Sequence, residues 1–237
     1  MCIIAIKPLG VSPLPEDIIQ TCFIYNSDGA GFAVHQPGLK DVLIRKGFMD
    51  VDALLEALDD EEISTADTVV YHFRLATSGG VRPGLCHPFP VSCKAKDLYA
   101  TEIYCKEAFA HNGVFHGLGT RRMSDTQMYI RDTLSWYFPD VASNLKNVES
   151  DTIGSRTVTL DHNGKLYLTG NWIIDNGYIY SNDGYCRRVF ADLELEIATA
   201  KLELENLRLW RDRYLRQKEH NSIWEENDYE IHNEIQS

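Results

Sequence analysis

Two Asn-Gly dipeptides, each set between short apolar runs, constrain the fold of this chain most. Residues 156–160 and 165–169 flank His162-Asn163-Gly164, and residues 172–174 and 178–180 flank Asp175-Asn176-Gly177. A tight hairpin turn needs positive φ at its central positions, which Asn-Gly supplies at little cost, so each segment predicts a β-hairpin. Further strands are expected over 2–7, 32–35, 41–46, 68–74, 98–104 and 108–111. Helices are expected over 15–25, with Pro15 opening it and Ile18, Cys22 and Tyr25 on one face, over 50–58 behind an Asp50 cap, and over 124–138 before Pro139. Many hairpins and few crossover helices imply an α+β chain with antiparallel sheets rather than a parallel doubly wound one. In 68–74, alternation sets Val69, Tyr71 and Phe73 against Val70, His72 and Arg74. Residues 75–98 hold Gly79-Gly80 and three prolines and predict a long loop, a place where function often resides.

The pattern changes near residue 186. From 188 to 218 there is no Gly or Pro, and Phe190, Leu193, Ile197, Ala200, Leu204, Leu207 and Tyr214 recur at three–four spacing, with Arg211 interrupting. We expect one domain over 1–185 and, over 186–237, a long helix followed by a loose acidic tail. Lys and Arg total 23 against 35 Asp and Glu, a net charge of −12, which argues against nucleic acid or an anionic membrane as partner. No apolar run is long enough to span a bilayer, and the short apolar start lacks the basic region of a signal peptide. Cys2, Cys22, Cys86, Cys93, Cys105 and Cys186 form no C-x-x-C pair, so neither a metal site nor a disulfide framework is expected, and a reducing, cytoplasmic setting follows.

Several segments can carry chemistry, and each has a plainer reading. If Met1 is removed, Cys2 has both a thiol and an α-amine with an ordinary pKa of about 8, a nucleophile and base in one residue. Otherwise Cys2 is a small core residue of the first strand. Arg74 ends a strand at the mouth of the long loop, where a guanidinium can grip a carboxylate and Thr77 can add a hydroxyl, or it is a solvated surface Arg. In His111-Asn112-Gly113, an amide beside a glycine N–H offers the two donors of an oxyanion hole, or is a common turn. Ser124 and Gln127 read as a capping box, which leaves Asp125 in the first turn able to meet an ammonium. His87, between Cys86 and Pro88, reads as support for the loop.

In order along the chain, Cys2, Asn26-x-Asp28-Gly29-x-Gly31, His72-x-Arg74-x-Ala76-Thr77-x-Gly79, His87-Pro88-Phe89, His111-Asn112-Gly113 and Ser124-Asp125-Thr126 resemble the class II glutamine amidotransferases, the N-terminal-nucleophile glutaminase domains, over about residues 1–183. The resemblance implies a four-layer αββα sandwich of two antiparallel sheets, with Cys2 as nucleophile and its α-amine as base. It further implies an oxyanion hole of Asn112 and Gly113. Arg74 and Thr77 would hold the glutamine carboxylate and Asp125 its ammonium, with His72 and Asp28 in the substrate-binding set. No cofactor or metal is implied. The chain departs from the family pattern at Gln127, where Glu is frequent, at Cys86, where Asn or Ala is frequent, and at Tyr25-Asn26, where some members carry an Arg. No P-loop or dinucleotide-binding glycine motif is present, so ammonia is expected to pass to a separate acceptor protein. Two alternatives stand beside this: a hydrolase of a γ-glutamyl amide metabolite, and a catalytically silent interaction protein. The long helix is expected either to dock or self-associate, or to pack on the sandwich.

Overall fold

The computed structural model describes residues 1–76, 80–137 and 140–235, with side chains described except at 137, 187–190 and 217–235. It is an α+β protein with a seven-stranded and a four-stranded antiparallel sheet and a long C-terminal helix. The contacts divide the chain into two units, Met1–Arg187 and Arg188–Ser237.

In the first unit, β1 (Ile3–Lys7), β2 (Ala30–His35), β3 (Val42–Phe48), β4 (Thr68–Phe73) and β6 (Glu102–Cys105) join β10 (Ile173–Asp175) and β11 (Tyr178–Tyr180) in the order β10-β11-β1-β4-β2-β3-β6. The smaller sheet runs β5-β7-β8-β9, from β5 (Phe89–Pro90), β7 (Glu107–Asn112), β8 (Arg156–Asp161) and β9 (Leu166–Thr169). Both expected Asn-Gly hairpins form, as β8–β9 and β10–β11; Asn176 and Gly177 take φ of 49° and 86°. The chain-leading β1 sits inside the large sheet, paired with β4 (Ile3 opposite Phe73) and with β11 (Ala5 opposite Tyr180).

Period-two alternation divides the apolar residues into separate cores. Ile3, Ala5, Phe32, Val69, Tyr71 and Phe73 pack against Ile19 and Cys22 of α1 (Glu16–Tyr25) and Leu54 of α2 (Val51–Asp60). Ile4, Ile6, Ala33, Ile44 and Val70 instead meet Ala108, Ala110, Val158 and Leu160 of the smaller sheet. Phe89 and Phe109, on that sheet's other face, pack against Tyr129, Ile130, Leu134, Val141 and Val148. Burying each such large apolar side chain contributes roughly 1.5–3 kcal/mol.

Several local expectations need correction. The buried face of α1 is Ile19, Cys22 and Phe23, with Tyr25 exposed. The strand expected over 98–104 is instead α3 (Ala95–Tyr99) followed by β6, because Leu98 is buried by the short helix, and a five-residue helix shows too little periodicity to be read. The helix expected over 124–138 begins as α4 (Asp125–Tyr129), widens into a π-helical stretch over Ile130–Leu134, and ends as α5 (Ser135–Tyr137). Pro139, its expected stop, lies outside the described residues. An unexpected α6 (Val141–Asp151) follows, capped by Asp140, whose Oδ1 accepts the Ser143 N–H. In the second unit, α7 (Arg187–Ile235) takes in the acidic segment expected to be loose. No helix among the described residues is long and apolar enough to cross a membrane.

Candidate active site

Strand parity gathers the candidate residues at one end of the core between the sheets. On β1, Ile4 and Ile6 face that core, and Cys2 precedes them at the same parity. Val70 on β4 leads in the same way to His72 and Arg74, Ala108 and Ala110 on β7 lead to Asn112, and Ile179 on β11 leads to Ser181. Pairing brings these strand ends together. Cys2 Sγ accepts the Leu75 N–H at 3.3 Å, and its thiol donates to the Leu75 carbonyl at 3.4 Å. Met1, joined to Cys2, is 74 % exposed. Burial pushes the Cys2 thiol up, while the Leu75 backbone and the nearby Arg74 guanidinium pull the other way. The thiol therefore needs a base to become a thiolate.

Ser181 and Asn182, which sequence reasoning passed over, tie β1 to Asn112 and to Cys2. Ser181 Oγ accepts from Ile4 N–H at 2.9 Å and from Asn112 Nδ2 at 2.8 Å, and Ser181 N–H donates to the Ile4 carbonyl at 2.9 Å. Asn182 Nδ2 donates to the Cys2 carbonyl at 2.8 Å. A Ser-Asn-Asp run after a strand reads as a turn, and its partners Cys2 and Ile4 lie some 180 residues away in the chain. Ser181→Ala leaves two buried donors without that acceptor and should cost about 1–3 kcal/mol, read as a lower urea midpoint at unchanged m-value.

Gly113 follows the buried Asn112 and is itself exposed. A Cβ there would lie 2.0 Å from Ser155 Oγ and 2.7 Å from His111 Nε2, so only glycine brings its N–H to this corner. The Arg74 guanidinium is buried and donates from Nη1 to the Gly80 carbonyl at 2.8 Å, which holds it across the base of the loop. Thr77 lies outside the described residues. Asp125 opens α4, with Oδ2 accepting the Phe115 N–H at 2.9 Å. The capping box of Ser124 and Gln127 is present, and Gln127 Nε2 also donates to the carbonyls of Gly84 (3.1 Å) and Leu98 (3.0 Å). A glutamate could not make those two donations, a physical reason for the amide at this position.

Two of the residues expected in the substrate-binding set also make contacts within the fold. Asp28 Oδ2 accepts the Ala76 N–H at 2.8 Å while the backbones of Asp28 and Arg74 pair, so its carboxylate fixes the chain just after Arg74. His72 is fully buried and has no surface for a ligand; it stacks on His87 with ring centroids 4.2 Å apart. Gly31 admits this stack, because a Cβ there would lie 2.4 Å from the His87 carbonyl oxygen. His87 also meets Phe89 at an angle, with ring centroids 4.6 Å apart and planes 61° apart.

No protein-family model matches the chain, and no curated protein matches it in sequence.

His72, His87, His111 and Lys46 are all buried, and burial sets their electrostatics. Burial, reinforced by Arg74, drops His72 to about 3, and burial pushes His87 well down as well. Burial takes His111 to about 4 against the opposing pull of Asp125, and its Nδ1 lies 3.2 Å from Thr126 Oγ1. All three rings are neutral near pH 7 and cannot act there as cations. Buried Lys46 donates to the Leu98 carbonyl at 2.9 Å and sits 3.7 Å above the Phe89 ring, and desolvation drives its ammonium well below the usual range. Among the described residues, no group of three or more His, Cys, Asp or Glu is arranged to hold a metal ion.

Proposed function

We propose that this chain is an amidohydrolase of the class II glutamine amidotransferase kind, with Cys2 as its amino-terminal nucleophile once Met1 is removed. The observation that carries the reading is the Cys2–Leu75 and Ile4–Ser181–Asn112 hydrogen-bond chain. It joins the Cys2 thiol to the backbone next to Arg74, and joins β1 to the Asn112 amide through Ser181. The succession of core clusters, helices α1 and α2, large sheet, small sheet and helices α4 to α6, is in keeping with a four-layer αββα sandwich.

The chemistry follows from those groups. The α-amine of Cys2 takes the thiol proton, and Sγ adds to the side-chain carbonyl carbon of glutamine. Charge develops on the carbonyl oxygen, where Asn112 Nδ2 and the Gly113 N–H donate to it. The α-ammonium returns its proton to the leaving nitrogen, ammonia departs, and a γ-glutamyl thioester remains. Water, deprotonated by the same amine, adds to the thioester; the thiol leaves and glutamate is released. Arg74 pairs with the substrate carboxylate and Asp125 with its ammonium, so the reacting amide is positioned by its distant end. Ammonia then passes to a separate acceptor enzyme.

A second reading, hydrolysis of a γ-glutamyl amide with a larger leaving amine, is favoured by the exposed apolar side chains of Leu75 and Val114 (40 % and 46 %), the residues that follow Arg74 and Gly113 in the chain. Amine release from glutamine and from γ-glutamyl alkylamides, measured side by side, separates the two. For the better substrate, Asn112→Ala should lower kcat by about 10²–10³ with little change in KM. An unchanged kcat would remove Asn112 from the oxyanion hole.

A further inference from the structure

We infer that α7 pairs in parallel with the same helix of a second copy of this chain, through a short heptad seam over Leu193–Tyr214. This rests on the second unit alone and is independent of the proposed activity.

All the large apolar side chains of α7 from Leu193 to Leu215 are exposed in the single chain. Leu193, Ile197, Ala200, Leu204, Leu207 and Tyr214 recur at alternating three–four spacing, the a and d positions of a coiled coil, with Ile197, Leu204 and Arg211 at a. The seam spans about 32 Å of helix. The flanking residues fix the partner's direction. Glu196 and Glu203 occupy g; Lys201 and Arg208 occupy e. In a parallel pair each g residue meets the e residue five positions on in the other helix. This sets Glu196 against Lys201, Glu203 against Arg208, and Trp210 against Leu215, so every contact is complementary. An antiparallel pair sets g against g and e against e, which brings glutamates together and Lys201 towards Arg208. Arg211 at a marks the end of the uninterrupted apolar stretch; its guanidinium is held by Asp212 of the same helix, with Nη2 to Oδ1 at 2.9 Å. A second row, Leu195, Leu202 and Leu209, repeats every seven residues on the opposite side. Thr199, Asn206 and Arg213 stand between these leucines, and so polar a set makes no seam.

Sedimentation equilibrium on the full chain over a concentration series tests this. The wild type should approach twice the chain mass. The pair Leu204→Asp and Leu207→Asp should give a monomer, while Leu195→Ser with Leu202→Ser should leave the dimer intact. Lys201→Glu with Arg208→Glu should weaken self-association by about tenfold or more. Mixing that variant with the Glu196→Lys, Glu203→Lys variant should restore a heterodimer at least as tight as the wild type. A wild-type monomer at every concentration, a stable species larger than a dimer, association lost on the Leu195/Leu202 side instead, or no restoration on mixing would overturn the inference.

Discussion

Replacing Cys2 by alanine should leave the protein folded and lower amide hydrolysis by roughly 10⁴-fold or more. The fold survives because β1 is held by backbone pairing to β4 and β11 and by Ile3, Ile4 and Ile6, none of which the change touches. What is lost in structure is two weak sulfur contacts to Leu75. What is lost in chemistry is the only group in the proposed mechanism that can form the thioester. Alanine also leaves the second residue small, so Met1 removal and the α-amine are retained, and the loss isolates the sulfur. Cys86 is the informative control. Its thiol is fully buried, and a Cβ on Gly29 would lie 2.5 Å from its Sγ, so it has no path to substrate. Cys86→Ala should therefore retain most of the activity that Cys2→Ala removes. Steady-state ammonia release by both variants, with circular dichroism as the folding check, decides the point.

Mild acid should unfold the protein steeply. In the unfolded chain His72, His87 and His111 take up protons at the ordinary histidine pKa of about 6.5. In the folded chain burial holds His72 neutral to about 3 and His111 to about 4, and it depresses His87 in the same direction. The unfolded state thus binds more protons as pH falls below about 6.5, and stability drops through that window. Each unmatched proton costs about 1.4 kcal/mol per pH unit, so three of them cost roughly 4 kcal/mol per unit at the steepest. Glu107 opposes one of the three. Burial raises its carboxyl to about 7, so the folded state holds that proton while the unfolded state does not. The net slope should be about two protons between pH 6 and 4, a loss of roughly 6 kcal/mol, comparable with the lower end of ordinary domain stabilities of about 5–15 kcal/mol. Urea unfolding across that range measures it. His87→Gln should flatten the slope by about one proton whatever its effect on stability at pH 7, whereas a flat profile would mean that the three histidines titrate alike in the folded and unfolded chains.

What was legible in the sequence is what local rules determine. Period-two alternation put His72 and Arg74 on one face of β4, the Asn-Gly turns gave both hairpins, and Ser124 with Gln127 gave the cap of α4. Asp50 capped α2 as its position suggested. What was not legible depends on partners distant in the chain. No sequence signal points to the bond that Asp28 accepts from the Ala76 N–H, 48 residues on. His72 looks accessible until Gly31 lets the His87 backbone settle over it. Ser181 and Asn182 carry no motif at all, because a hydroxyl becomes the hub of a site only when β11 is laid beside β1. Length and composition give no hint of the π-helical stretch at Ile130–Leu134, whose carbonyl at Ile130 also accepts from Ser135 Oγ.

Peptide-mapped mass spectrometry after treatment with an electrophilic glutamine analogue, a γ-diazoketone amino acid, addresses the nucleophile most directly. The purified chain should begin at Cys2, carry one adduct on that residue's sulfur, and be protected from labelling by excess substrate. A purified chain that still bears Met1 and takes no label, or a label on Cys86 instead, would contradict this.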